Sequence, residues 1–568
     1  MQRKKYLLTL FFLLGSFCLP VSHAQNAGDS RLEILQADAL LGGRGFERLI
    51  DDVIMRHQDA LIYCDSAHFY SKENLAKLFG NVRIVDEEDS VSTSSTYGEY
   101  DGNTQIAKLR NQVVFKNKGT TLYTDYLDYH RGTGEADYFN EGKVVDSVNV
   151  LTSEKGLYET RMDRITFTGM VVLVNPDYTL KSNVLYYNTL SREAETTGIT
   201  NIESSEGDKL NARKGSFYDT QNKIFRFYDG DVETETSRVS AETLFYDEAE
   251  QYYEAKENVS MFNKERNVEI FGEEGKYWEN RKYAMVYGNA LVRRYFEEDT
   301  LYMIADTLIS QDGEDASNRY LQAYSNMRMI KSDLSGRSDS MAYIYSDSTI
   351  HLYGDPVLWN NKSQITADSI RFLIANEEID RAFLKDNAFA VTRDTLNNFN
   401  QMRGRKMTGY FLEGELSKLD VEGNGESLYF ALANDSTIRG VNKLLCGRII
   451  MHFTEGQVRS ISHTIKPEAK FTPPHLLQEG DTALEGFVWR GDEQPTMAIV
   501  NDWRMPRAPE ENEFNFFNEP DVELPMPTDD EIQKLLDQSG VTAYKSVNSR
   551  NLTVAVRGQS RPITEVER

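Results

Sequence analysis

One two-part phrase returns about every 30 residues from Leu32 to Ile461, and a period of that length commits a chain to stacked repeats whose core grows in one dimension. The first half of the phrase is an apolar residue, a small residue two places on, an aliphatic five on and an aromatic seven on. Leu122, Thr124, Leu127 and Tyr129 make one copy; Val239, Ala241, Leu244, Tyr246 and Ile365, Ala367, Ile370, Phe372 make others. An acidic residue follows the small one at Asp65, Asp125, Glu154, Glu242, Asp306, Asp339 and Asp368. The second half is a plain alternation through a Gly-Asn-Val-like step, as in Ala76, Leu78, Gly80, Val82, Ile84 and in Ala284, Val286, Gly288, Ala290, Val292.

Alternation of period two places one set of side chains on a single face, so the second half reads as a strand with one apolar face. The first half changes parity between its second and third apolar positions. A regular strand cannot keep all four inside, but a bulge or bend at the third or fourth residue returns them to one side, as where a strand turns a corner between two sheets. Each repeat is then a pair of strands, and stacked repeats form two facing sheets with apolar inner surfaces. The expected fold is all-β: an elongated twisted β-jellyroll of about thirteen stacked two-strand repeats, weakest around Glu193 to Ile202 and Gly425 to Phe430. The recurring acidic residues are expected to hydrogen-bond the strand bend, since they lack the Gly-Gly-x-Gly-x-Asp run of a calcium β-roll.

The two ends read differently. Arg3, Lys4 and Lys5 precede an apolar run from Tyr6 to Leu19, and Ser22-His23-Ala24 offers small residues for cleavage, so residues 1–24 read as an export signal. Phe17 is too bulky before Cys18 for a lipoprotein signal. Ten of the 13 prolines lie at or beyond Pro467. Because proline removes a ladder donor, the array is expected over 25–463 and an irregular Pro-rich tail over 464–568, with a possible short helix from Thr528 to Gln538. A formal net charge of −26 argues against nucleic acid as a partner, and no second apolar run approaches the roughly 20 residues of a spanning helix.

No catalytic constellation emerges, and no cofactor or metal is expected. The histidines show no metal-ligand spacing. Cys64 and His68 stand four residues apart, roughly 13 Å along a strand, too far for a thiol-imidazole pair. Cys64 and Cys446 read as small buried residues, and Gly42-Gly43-Arg44-Gly45 as a turn.

The repeated small-Asp-x-x-x-Tyr and Gly-Asn-Val phrases, including Ile62-Tyr63-Cys64-Asp65-Ser66-Ala67 and Gly80-Asn81-Val82, resemble the LptA/OstA family of periplasmic lipopolysaccharide-transport proteins, in particular the long OstA-like proteins of Bacteroidota-type bacteria. The likeness covers the array from about Leu32 to Ile461. It implies a V-shaped jellyroll whose open groove carries acyl chains and whose end strands dock onto similar folds, LptC-like at the inner membrane and LptD-like at the outer. End-to-end self-association is a further implied possibility. This chain departs from a single module in its length and its proline tail.

The inner positions mix small residues with Met, Phe and Val, which suits flexible chains, although a dry sandwich core would show the same parity. The groove candidates are Met55, Val82, Ile84, Val113, Phe115, Val171, Leu173, Val259, Met261, Val292, Met327 and Met329, with Gly80, Gly169, Gly288 and Ala290 leaving room. An open stack leaves unpaired N–H and C=O groups at its ends, so Leu32, Ile34, Ile450 and Ile461 are candidates for docking by β-augmentation. The expected function is a non-enzymatic periplasmic bridge conducting lipopolysaccharide from inner to outer membrane. The competing readings are an outer-membrane β-barrel, which needs a lipid-facing apolar band, and an extracellular parallel β-helix acting as adhesin or polysaccharide-active enzyme.

Overall fold

A computed structural model describes residues 31–502, apart from 88, 298, 314–315, 361, 377, 413–414, 434–436 and 455–456. The export signal and the helix expected over Thr528 to Gln538 lie outside the described residues. Of the described residues 70% lie in strands and 4% in helices, the all-β class expected, and the strands pair antiparallel in a jellyroll-like arrangement. Among the described residues two units separate, one of 31–144 with 152–168 and one of 145–151 with 169–502.

In the first unit the strands Glu47–His57, Ala60–Tyr70, Leu75–Asp86, Val91–Asp101, Ile106–Asn117 and Thr120–His130 pair in chain order. Every ladder shifts register at mid-strand. Between Ile106–Asn117 and Thr120–His130, Arg110 pairs with Tyr126 and Val113 with Thr124, so Asn111 and Gln112 face the single residue Asp125. This is a two-against-one bulge, which bends a strand pair. Both residues on the long side are left-handed, with φ of 62° at Asn111 and 53° at Gln112. The same pair recurs at Gly80-Asn81, Glu257-Asn258, Gly288-Asn289, Asp386-Asn387 and Gly423-Asn424. Each strand therefore turns a corner and contributes one arm to each of two facing walls. Wall A holds arms such as Leu75–Phe79, and wall B holds arms such as Val82–Asp86.

The recurring acidic residue is the short side of this corner. Asn81 donates to both carboxylate oxygens of Asp65 at 3.1 and 3.0 Å, and Asn387 does the same to Asp368 at 3.1 and 3.0 Å. Asn326 donates to Asp306 at 3.2 Å, and the Gln112 amide to Asp125 at 2.9 Å. These bonds fill the role expected of the aspartates. The expectation that Gly80, Gly169 and Gly288 line the interior is corrected: all three have positive φ, and a Cβ on Gly80 would lie 2.3 Å from the Asp65 carboxylate. They make the corner possible; Ala290, by contrast, is wholly buried.

The second unit begins with short arms, among them Glu193–Thr196, Thr200–Ser204 and Ser216–Asp219. Here the weak repeat replaces apolar inner residues by hydroxyls: Thr196 Oγ1 lies 2.7 Å from Thr200 and 2.9 Å from Ser216. Full-length bent strands follow, including Ser237–Asp247, Tyr252–Asn263, Val268–Trp278, Tyr283–Tyr295 and Thr300–Gln311. The other weak repeat, around Gly425, is a regular part of the strand Glu415–Ala433. Leu308, Leu352 and Leu384 from wall A pack with Met303, Met327 and Leu358 from wall B in one core.

The ladder also runs past the boundary expected at 463. Gln457–Thr464 pairs with the wall A arm of Thr437–Thr454, and Glu468–Thr472 pairs with its wall B arm. Ile465 and Lys466, both left-handed, make the corner between them. Pro467 and Pro473 bracket the final arm, so neither removes a donor from inside it.

Beyond Pro474 the chain turns back as a strap over the outer face of wall B. Two almost fully buried glutamines hold its backbone. Gln401 donates to the Thr482 carbonyl at 2.9 Å and accepts from the Leu484 amide at 2.7 Å; Gln364 donates to Val488 at 2.8 Å and accepts from Arg490 at 2.6 Å. A glutamine amide carries one donor and one acceptor side, so it satisfies a strap as a neighbouring strand would. Leu484, Phe487 and Trp489 pack against Phe389, Val391 and Leu428. Val500, in the short helix Met497–Asn501, inserts among Phe271, Leu291, Ile304 and Ile330.

Two outcomes are expected. Gly80→Val should cost about 1–3 kcal/mol, because a branched side chain can neither adopt the corner nor fit against Asp65, whereas Gly119→Ala, which meets open space, should leave the denaturation midpoint unchanged. Hydrogen bonds from Arg490 hold the carboxyls of Asp355 and Glu493 below their ordinary range. Their contribution is present above that range and lost as pH falls through the lowered values, so acidification should accelerate hydrogen exchange in 484–494 before it does so in the wall strands.

Candidate functional site

The cleft between the walls is the feature with chemical character, and it differs along the chain. In the second unit the rows next to the corner are closed, with Leu244, Ala255, Val286 and Val259 buried. One row farther out the walls part. On wall A, Tyr218, Phe225, Tyr246, Tyr253 and Tyr277 stand in register, with ring centroids 4.2, 5.8, 4.3 and 5.8 Å apart in succession. Ala284 and Ser310 take the next two places, and Leu321, Tyr343, Ile350 and Phe372 continue the row beyond them, half-buried. On wall B, Val239, Met261, Ile270, Val292 and Met303 align through successive ladders, and Met329 pairs with Met303. Apart from Met303, which is buried, this row too is half-buried. Tyr253 and Tyr277 keep 37% and 36% of their surface in water. The result is an apolar cleft with a closed apex and an accessible lining.

In the first unit the cleft is shut. Met55, Val82, Ile84, Val113 and Phe115 are at most 1% exposed. Large and small side chains alternate along the second row of wall A, as Phe69, Ala76, Tyr100, Ala107, Tyr129, Ala136 and Tyr158, all buried. Polar groups close the mouth above them. Tyr100 lies 2.8 Å from His57 Nδ1 and accepts from Arg131 at 3.0 Å, while Arg131 Nε meets the Asp86 carboxylate at 2.6 Å. Tyr158 donates to Asn117 at 2.8 Å. Gln105 reaches Gln58 at 3.3 Å, Arg161 pairs with Asp89 at 3.2 Å, and Lys118 pairs with Asp163. Burial raises the phenol pKa of Tyr100 and of Tyr129, so these hydroxyls stay neutral. The first strands of the second unit are closed in the same way, where Tyr187 donates to Asp146 at 2.5 Å and Tyr178 contacts Tyr218.

The twelve groove candidates therefore fall into two groups. Met261, Val292 and Met329 are half-buried in the open row, with Val259 and Met327 fully buried at the apex; the first-unit residues, with Val171 and Leu173, lie in closed interior. Sequence reading missed the polar partners His57, Asp86, Asn117, Asp146 and Arg131. Their one signal is position: the first four end wall B arms, or stand next to that end, opposite the aromatic of the repeat.

At the ends, Ile34 lies on Glu33–Gln36 and pairs with Met55, and the Leu32 amide donates to Asn74 at 2.9 Å. Ile461 lies on the terminal strand and is exposed. Ile450 is corrected: it pairs with Asp420 on one side and Ser462 on the other, one strand in from the edge, because the ladder continues to Thr472.

Cys64 points inward while His68 stacks between Phe46 and Phe79 on the outer face. No cluster of metal-ligating side chains occurs among the described residues. The antiparallel ladders do not match a parallel β-helix, and outward ion pairs such as Lys77–Glu99 and Lys276–Glu254 are the reverse of a lipid-facing barrel surface.

Comparison with known families adds the deciding observation. Residues 31–183 match the family described as OstA-like protein, and residues 270–378 match that described as LptA/(LptD N-terminal domain) LPS transport protein. The chain belongs to the OstA/LptA-like family of lipopolysaccharide transport proteins. A search of curated proteins finds no match. The two matches fall on bent-strand arrays in both units, and such families comprise transport proteins rather than enzymes. Membership points to an envelope location, and no helix among the described residues is long and apolar enough to cross a membrane.

Burial pushes the Cys64 thiol up to about 12. Iodoacetamide at pH 8 should therefore leave it unmodified in the folded protein and alkylate it in denaturant, as read by mass spectrometry; fast native labelling would mean that the interior opens.

Proposed function

We propose that this protein is a periplasmic carrier of lipopolysaccharide whose acyl chains lie in the open cleft of the second unit. The observation that carries this reading is the pair of facing apolar rows, Tyr246 to Phe372 on one wall and Val239 to Met329 on the other, left accessible above a closed apex. An isolated protein exposes so long an apolar lining at a cost, and flexible chains would cover it by the ordinary hydrophobic effect, about 0.8 kcal/mol per buried methylene. Phosphorylated head groups stay in water at the mouth, which avoids the penalty of burying their charge.

Apolar lining recurs along most of the strands, interrupted at Ser310 on wall A, so a chain can be displaced along it from one position to the next. The edges at Glu33–Gln36 and at Gln457–Thr464, unpaired on one side among the described residues, are suited to β-augmentation by similar jellyrolls, LptC-like and LptD-like, or by another copy. An exported chain, with residues 1–24 as signal, would then bridge the two membranes.

A photoreactive residue at Met261, which faces the cleft, should capture lipopolysaccharide at least tenfold more than one at Lys256, which faces outward on wall A. Equal capture at both positions would refute the cleft as the binding site.

A further inference from the structure

We infer that lipid occupancy is confined to the second unit and that the first unit is a closed adaptor that admits no acyl chain. This rests on the proposed carrier function and divides the array in a way that the repeat pattern does not. The same backbone, with the same corners, builds both interiors, so the difference lies in three side-chain choices.

The first choice is depth of packing. In the first unit the third row on wall B, at the very mouth, is still buried: His57, Ala60, Asp86, Val91, Asn117 and Thr120 are at most 3% exposed. At the corresponding place in the second unit Ser237, Asn263 and Val268 are half-buried and Arg294 is exposed. The second is alternation. Tyr100 sits between Ala76 and Ala107, Tyr129 between Ala107 and Ala136, and Tyr158 beside Ala136, and the three rings fill the space across to wall B. In the second unit Phe225, Tyr246, Tyr253 and Tyr277 follow one another without small residues between them, so the rings stack on each other along the wall instead of reaching over the cleft.

The third choice is what ties the mouth. Tyr100 and Tyr158 end on polar groups at the mouth, His57 with Arg131 and Asn117, and the Arg131–Asp86 pair beside them is almost completely removed from water, with 5% and 2% of the side chains exposed. Parting these walls would separate a buried ion pair from both of its hydrogen-bonded neighbours at once, and breaking such a pair is strongly unfavourable. The mouth of the second unit is spanned at Arg266 and Asp312, 3.6 Å apart, by side chains that are 62% and 44% exposed. Exposed pairs of that kind are worth little and yield readily to an incoming ligand.

Methionines on the inner walls of both units give a test without any substitution. The full chain is produced with photo-methionine, exposed to purified lipopolysaccharide, irradiated and mapped by mass spectrometry. Adducts are expected at Met261 and Met329 and at least tenfold fewer at Met55. In parallel, hydrogen exchange should slow on adding lipopolysaccharide in the strands Tyr252–Asn263 and Tyr283–Tyr295, with no change in Leu75–Asp86 or Ile106–Asn117. Adducts at Met55 comparable to those at Met261, or protection of the first-unit strands, would overturn the confinement while leaving the carrier function standing. Adducts at none of the three, with no protection anywhere, would overturn the carrier function itself.

Discussion

The structure depends on one backbone device, the corner at which two left-handed residues on one strand oppose a single residue on the next. Left-handed conformation disfavours most side chains, and most corners meet this with Gly, which lacks a Cβ, or with Asn or Asp, whose short polar side chains bond locally, although Gln112 and Glu257 also adopt it. The carboxylate of the opposing strand then ties the corner down, as Asp65 does for Asn81. Once every strand bends at the same height, two walls must face each other, and the apolar side of each has nowhere to go but inward. Ladder, core and cleft all follow from that alignment.

Much of this was legible in the sequence, and the exceptions have physical causes. A one-residue corner reverses side-chain parity, so the first half of the repeat betrays its bend. A two-residue corner preserves parity, so the alternation Leu78, Gly80, Val82 looks like an uninterrupted strand, and Gly80 passes for a groove residue when it is the bend itself. Inward direction was readable for the same reason, but accessibility was not. Phe115 and Met261 share a parity and a place in the repeat, and what separates them is whether the aromatics opposite reach across to a polar end residue such as Asn117 or stack along their own wall. That depends on pairing between strands 40 or more residues apart. The terminal arm Glu468–Thr472 was hidden behind Pro467, which signals a break but here only marks a corner.

The two interiors show how little is needed to convert a repeat fold from a filled sandwich to an accessible cleft. Neither the corner nor the first inner rows change. The conversion rests on the outermost inner row and on the hairpin tips, where a tyrosine bonded to His57 or Asn117 closes the walls and a run of adjacent rings does not. Selection can therefore move the boundary between closed and open segments by changing residues at the mouth, leaving the folding core untouched.

The strap gives the second unit a mechanical property distinct from its chemistry. A load applied to the chain beyond residue 502 would not peel the terminal strand away one ladder bond at a time. It would reach the wall beside Val268–Trp278, where Val500 is seated, and pass as shear along the glutamine clamps and the Arg490 pairs, which share it between them. An unzipping geometry fails sequentially at low force, whereas a shear geometry requires its contacts to give way together, so the strap shields the terminal strand from a pull at its own end.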